Sequence, residues 1–200
     1  MSVDTGQRRR LEPDARREQI LSVAVRLFGE RGYAAVSTGD VASGAGVARG
    51  LVNHYFGTKK ELYLEVIRVM LTVPEATLTL LPPPDDLPTR AGAIVSWFLD
   101  VVSRHSTSWL GAITAGGMAG DAEVDRAIAE AIDVAADRVL IAVGLPGGGG
   151  ARHAMARSYV GLATSTAREW LQRGELTRAQ VHKLLTATLL TMVDQVFPDA

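Results

Sequence analysis

The 200-residue chain has no cysteine. Disulfides, thiolate metal sites and cysteine nucleophiles are therefore excluded. It also lacks any apolar run near the roughly 18–20 residues of a membrane span. Its start, with Asp4 and then Arg8-Arg9-Arg10, offers no apolar stretch ahead of a cleavage site. Secretion is not expected from such a start, and a cytoplasmic protein is. The four histidines, His54, His105, His153 and His182, are scattered with none paired at metal spacing. No metal site and no cofactor are expected. No Gly-x-Ser-x-Gly elbow occurs, and the Gly147–Gly150 run lacks the Lys-Ser/Thr of a phosphate loop. An enzyme is therefore not the expected class.

What is present suits a packed domain, or a small one fused to a larger one. Apolar residues make up 47% and charged residues 22% of the chain, which excludes disorder over most of its length. The net charge of −1 hides an asymmetry. Residues 1–60 hold ten Lys/Arg against six Asp/Glu, and residues 61–200 hold eleven against sixteen. A basic head on an acidic body fits a head that meets a polyanion.

The periodicity is helical throughout, with no run alternating like a strand. Ile20, Ala24, Leu27 and Phe28 define a first helix over about 14–31, opened near Pro13 and closed by Gly32. Ser37 or Thr38 caps a second, with Asp40 near its positive end. A third runs over about 48–55, and Thr58 caps a fourth from Lys59. Val73–Pro88 holds five of the eight prolines and reads as a linker or loop. Apolar stripes then recur: Ile94, Trp97, Phe98, Val101 and Val102; a segment from Trp109 to Met118; and Val124, Ile128, Ile132, Ala135 and Val139. Two last helices cover about 151–173 and 177–196. The expectation is an all-α protein of about nine helices. A flexible basic arm covers 1–12, a three-helix head 13–58, and a helical bundle 59–200, with the fourth helix as connector.

The densest information lies in residues 37–56, STGDVASGAGVARGLVNHYF. Two short helices flank a tight turn at Ala45-Gly46-Val47, which is helix-turn-helix spacing. Ala42 is small where the helices cross, and Val47 with Leu51 or Val52 anchors the second helix. Its other face offers Arg49, Gly50, Asn53 and His54. Arg and Asn suit base edges in the major groove, and Gly admits a close backbone approach.

Here the chain resembles the tetracycline-repressor (TetR) family of transcriptional regulators. The resemblance rests on Thr38, Val41-Ala42, Ala45-Gly46-Val47, Leu51, Tyr55-Phe56 and Thr58-Lys59-Lys60-Glu61-Leu62. The helix before adds Ile20-Leu21, Ala24, Leu27-Phe28, Gly32 and Tyr33. It implies that Thr38 bonds a DNA phosphate, that Arg49 and Gly50 meet bases, and that Asn53, His54 and Tyr55 touch bases or backbone. Lys59 matches a phosphate-binding lysine and Lys60 is a neighbouring candidate. Arg8, Arg9 and Arg10 match an arm across the backbone or into the minor groove. Asn53 departs from the aromatic residue many relatives carry, which opens a direct adenine contact.

The resemblance further implies a homodimer on a palindromic double-stranded DNA operator, most simply a repressor released by a small effector. The dimer seam would lie on the last two helices. Val181, Leu184, Leu185, Thr188, Leu189, Met192 and Val196 form one stripe, and Tyr159, Leu162, Thr166 and Trp170 the facing one. The alternative is that these faces pack only within their own subunit. A ligand pocket is expected among Trp97, Phe98, Val101, Trp109, Ile113, Met118, Met155 and Tyr159, with His105 and Arg104 as polar anchors. Few charges fall there, so the effector should be apolar or amphipathic. Rival readings are a helical enzyme or scaffold using that pocket, and a regulator whose effector promotes DNA binding.

Overall fold

A computed structural model describes residues 13–83, 85–113, 120–146 and 150–199. Among these, regular structure is wholly helical, with nine helices of seven residues or more and one shorter helix. The first helix, α1 (Pro13–Ala35), buries Ile20, Leu21, Ala24, Val25, Leu27 and Phe28. Its path breaks at Gly32, whose φ of 74° only glycine adopts freely. The sequence-based end near residue 31 coincides with that break.

Helix α2 (Thr38–Gly44) is closed by a reciprocal cap. The Ser37 hydroxyl accepts the Asp40 N–H, and the Asp40 carboxylate accepts the Ser37 N–H. Ser37, not Thr38, is therefore the cap. Hydrogen bonds donated by the Ser37 hydroxyl and the Ser37 N–H hold the Asp40 carboxyl below its ordinary value. Gly46 turns the chain at a φ of 63°, and the Val47 N–H returns to the Ala42 carbonyl at 3.0 Å. Helix α3 (Arg49–Phe56) follows, pinned by Val52 and Phe56. Leu51 is only half-buried, so Val52 is the anchor.

Helix α4 (Lys59–Leu71) repeats the capping device with Thr58 and Glu61. It buries Leu62, Tyr63, Val66 and Ile67 in the same apolar cluster as α1–α3, which also takes in Val124 and Ala127 from further along the chain. Complete burial of such side chains is worth about 1.5–3 kcal/mol each. That outweighs the roughly 0–1 kcal/mol of any surface ion pair on the same helix.

The proline-rich stretch is more ordered than a linker. It contains α5 (Glu75–Thr79), with Thr77 buried. The Arg90 guanidinium donates to the carbonyls of Pro82 and Ala142, tying the loop down. The body continues with α6 (Leu87–Arg104), α7 (Ser106–Ile113), α8 (Ala122–Ala142), α9 (Gly150–Arg168) and α10 (Arg178–Thr191). Wider π-helical turns extend α9 over Glu169–Arg173 and α10 over Met192–Val196. One cluster unites α6, α9 and α10 through Ile94, Val95, Leu99, Tyr159, Val181 and Leu185, among others. Head and body meet mainly where α1 packs on α7 and α4 on α8. No helix among the described residues is long and apolar enough to cross a membrane.

Candidate nucleic-acid interface and interior cavity

Helix α3 has two faces. Val52 is 1% exposed, while Arg49, Gly50, Asn53 and His54 all lie open to solvent. Their spacing puts them on one side of the helix. Ala48 precedes α3 without a side-chain cap, so its first-turn N–H groups have no hydroxyl or carboxylate partner there. Such an end favours anions.

Arg49 is not a loose surface cation. Its Nε donates to the Thr38 hydroxyl at 3.1 Å. Thr38 itself is nearly buried at the start of α2. The bond fixes the inner edge of the guanidinium and leaves its two outer nitrogens as a fork, the geometry that reads guanine. A methyl on Gly50 would meet nothing within 4 Å. The fold therefore does not require glycine at this position. Tyr55 is half-buried, with its ring edge-on to His54 at 5.4 Å, and Phe56 belongs to the core.

The two lysines at the start of α4 part company. Lys59 lies 4.3 Å from the centre of the Tyr33 ring and donates to the Ala34 carbonyl at 3.5 Å. These contacts hold the ammonium against the end of α1 while leaving donors over. Lys60 turns to the body and pairs with Asp121 at 3.0 Å and Glu123 at 2.8 Å. The hydrogen bonds it donates to the Glu123 and Asp121 carboxylates raise its pKa. Its charge is already matched within the chain, which makes Lys60 a weaker candidate for a phosphate contact than Lys59. Arg8, Arg9 and Arg10 lie outside the described residues.

The body holds a partly open cavity of about 160 Å³. Trp97, Phe98, Trp109 and Tyr159 line it, as the sequence suggests. Val101, His105 and Met155 do not. Met155 packs with Phe197 in a separate small cluster. His105 and Arg104 face a second groove between α1 and α7, shared with Glu18, Arg26 and Glu30. The expected polar anchors are thus absent from the apolar cavity. Met118 and the Ile113 side chain lie outside the described residues. The wall that sequence reasoning missed is α8, which supplies Ile128, Ile132, Ala135 and Val139. Their helical spacing was the signal, but it reads equally well as ordinary core.

The faces of α9 and α10 also need correction. Val181, Leu185 and Leu189 are 0% exposed, and Tyr159 and Thr166 are buried. The Tyr159 hydroxyl donates to the Leu185 carbonyl at 3.1 Å. These five belong to the chain's own core, with no surface left for a partner. Leu184 is 43% exposed, and Leu162, Trp170, Thr188, Met192 and Val196 are half-buried.

Comparison with known proteins matches both parts of the chain. Residues 20–66 match the bacterial regulatory proteins of the tetR family. Residues 87–192 match the tetracyclin repressor-like C-terminal domain. The HTH-type transcriptional regulator BetI of Agrobacterium fabrum is 43% identical over 61 residues, which is 30% of this chain and 29% of that protein. The first curated relatives are thus matched over less than a third of their length. The HTH-type transcriptional activator FasR of Mycolicibacterium smegmatis is 29% identical over 165 residues, covering 81% of this chain and 75% of that protein. A tetR-family transcriptional regulator from Streptomyces coelicolor shares the fold with a TM-score of 0.70 at 24% identity, over 95% of this chain and 85% of that one.

Proposed function

This chain belongs to the tetR family of bacterial regulatory proteins, and from that premise we propose a homodimeric repressor that binds a palindromic operator and is released by a small effector. Its helix-turn-helix binds DNA and its role is in transcription, not catalysis. In the proposed division, residues 1–12 form a basic arm, 13–58 the reading head and 59–200 the effector and dimer body.

The observation that carries the reading is the Arg49–Thr38 bond on an otherwise open helix face. An arginine held by its inner edge, beside an unfilled Gly50 and an exposed Asn53, is built to meet an external partner with hydrogen-bonding edges. Arg49 and Asn53 read bases; Gly50, His54 and Tyr55 lie against the backbone or base edges; Lys59 holds a phosphate. A dimer places two such helices about one turn of duplex apart, or a multiple of it, roughly 34–36 Å. Leu162, Leu184, Thr188, Met192 and Val196 form the seam. The effector occupies the cavity between α6, α8 and α9, and its binding shifts the spacing of the heads. A second reading, in which the protein activates, is favoured by the likeness to the activator FasR across most of the chain.

Selection of bound sequences from a random duplex library, with the purified protein at stated salt, tests the reading. A palindrome of two half-sites is expected. Enrichment of a single half-site would reject the dimer. No enrichment, with or without small apolar ligands, would reject sequence-specific recognition. Operator placement relative to the promoter then separates repression from activation.

A further inference from the structure

We propose that the interior cavity is a site for a small, neutral, hydrocarbon-rich molecule of about one ring, and that it rejects carboxylates and other anions. The proposal rests on the effector role given to the body above and narrows the chemistry of that effector.

Size is the first argument. The cavity measures about 160 Å³. An engineered cavity of about 150 Å³ in another protein, lined by Leu, Ile and Phe, stays dry and takes benzene. A molecule of about one ring fits that space.

Polarity is the second. No Asp, Glu, Lys, Arg or His lies among the described residues of the wall. Two hydroxyls line the cavity, and both already donate inside the chain. Tyr159 donates to the Leu185 carbonyl at 3.1 Å, and Thr164 to the Val160 carbonyl at 2.9 Å. Each oxygen keeps lone pairs, so a ligand with one O–H or N–H finds an acceptor; neither hydroxyl has a proton left, and the side-chain donors that remain on the described wall are the neutral indole N–H groups of Trp97 and Trp109, which bring no charge to match an oxyanion. Burial alone pushes the Tyr159 phenol above its ordinary value. The same desolvation penalises a bound anion. The cations of the region, Arg104 and Arg26, face the other groove.

The cavity carries its own reporters, because Trp97 and Trp109 are two of the three tryptophans and both line it. The test titrates the full-length protein with matched pairs, toluene against benzoate and 1-octanol against octanoate, at pH 7. Tryptophan emission and melting temperature are read. Toluene should give a saturable one-to-one response and a raised melting temperature. Benzoate should bind at least about 100-fold more weakly, as an unpaired buried charge requires. Ala163 also lines the cavity, and Ala163→Phe should abolish the toluene response with the helical circular dichroism unchanged; Ala135→Phe serves if that variant does not fold. A response to benzoate or octanoate equal to or stronger than to the neutral partner overturns the proposal. So does no saturable response to toluene, indole or cyclohexanol. Operator binding measured beside it keeps the two readings apart. Toluene bound without change in operator affinity leaves the site standing and removes its effector role. Release of the operator by the anions alone keeps an effector role and overturns the ligand class.

Discussion

Ser108 of α7 packs so tightly on Gly29 of α1 that a methyl on Gly29 would lie 2.3 Å from both the Ser108 Cα and its hydroxyl oxygen. Glycine here serves close approach rather than an unusual backbone angle. The next residue, Trp109, lines the interior cavity. A helix that touches the ligand space with one side chain thus rests its backbone on the head with its neighbour. Gly29→Ala must push the two helices apart, since the obstructing atom is backbone. It should cost about 1–3 kcal/mol of stability, as overpacking does. It should also weaken the effect of ligand on operator affinity while cavity binding persists. Urea melts and ligand-dependent DNA titration check both. Full coupling in a stable Gly29→Ala protein would deny this contact its role.

Three cations near the DNA face should answer differently to removal. Arg49→Ala should cost about 1–3 kcal/mol of operator binding and relax preference at one base pair. Lys59→Ala should weaken all sequences alike and lower the salt slope by about 1. Lys60→Ala should leave that slope unchanged, because Asp121 and Glu123 already hold its charge. Thr38→Val should mimic part of the Arg49→Ala loss of base preference, and Thr38→Ser should restore it. Titrations at several salt concentrations distinguish the four.

The head was legible because its determinants are local. Val41, Ala42, Gly46, Val47 and Val52 lie within a dozen residues and encode two helices and their turn by spacing alone. The pairing of Lys60 is not legible in the sequence because its partners, Asp121 and Glu123, lie far along the chain, and a charge does not announce its partner by periodicity. The stripe on α10 was read as a seam for a related reason. Leu184 and Leu185 are adjacent and equally apolar, yet one is exposed and the other sealed. Only the crossing of α10 over α6 decides between them. In the same way, Ile128, Ile132, Ala135 and Val139 read as core from their spacing. That this core holds a void depends on where Trp97 and Trp109 stand in space.

Acid should loosen the start of α4 through Glu61. Hydrogen bonds from the Thr58 N–H and hydroxyl hold its carboxyl below the ordinary value of 4.5. A lowered folded pKa means the unfolded chain binds the proton first as pH falls. The cap's contribution is complete above about pH 4.5–5.5 and is lost as pH drops through the folded value. Glu61→Gln keeps a capping side chain but cannot titrate. Its stability should therefore fall less between pH 5 and pH 3 than that of the parent protein, by denaturant melts at each pH. Equal losses would place the acid sensitivity elsewhere, Asp40 being the next candidate for the same reason.

The adjacent leucines of α10 separate assembly from folding. Leu184 is 43% exposed and Leu185 is 0% exposed. Leu185→Ala should cost about 2–5 kcal/mol by opening a cavity in the core, with weaker DNA binding only as a consequence of unfolding. Leu184 is one of the exposed positions of α10, so the isolated chain carrying Leu184→Glu should fold with its helix content intact. On the proposed seam, however, it sets two carboxylates against each other across a twofold axis. Light scattering should report half the parent mass, and affinity for the two-half-site operator should collapse while a single half-site still binds weakly. A Leu184→Glu protein that keeps the parent mass and operator affinity would move the seam to another face of the body.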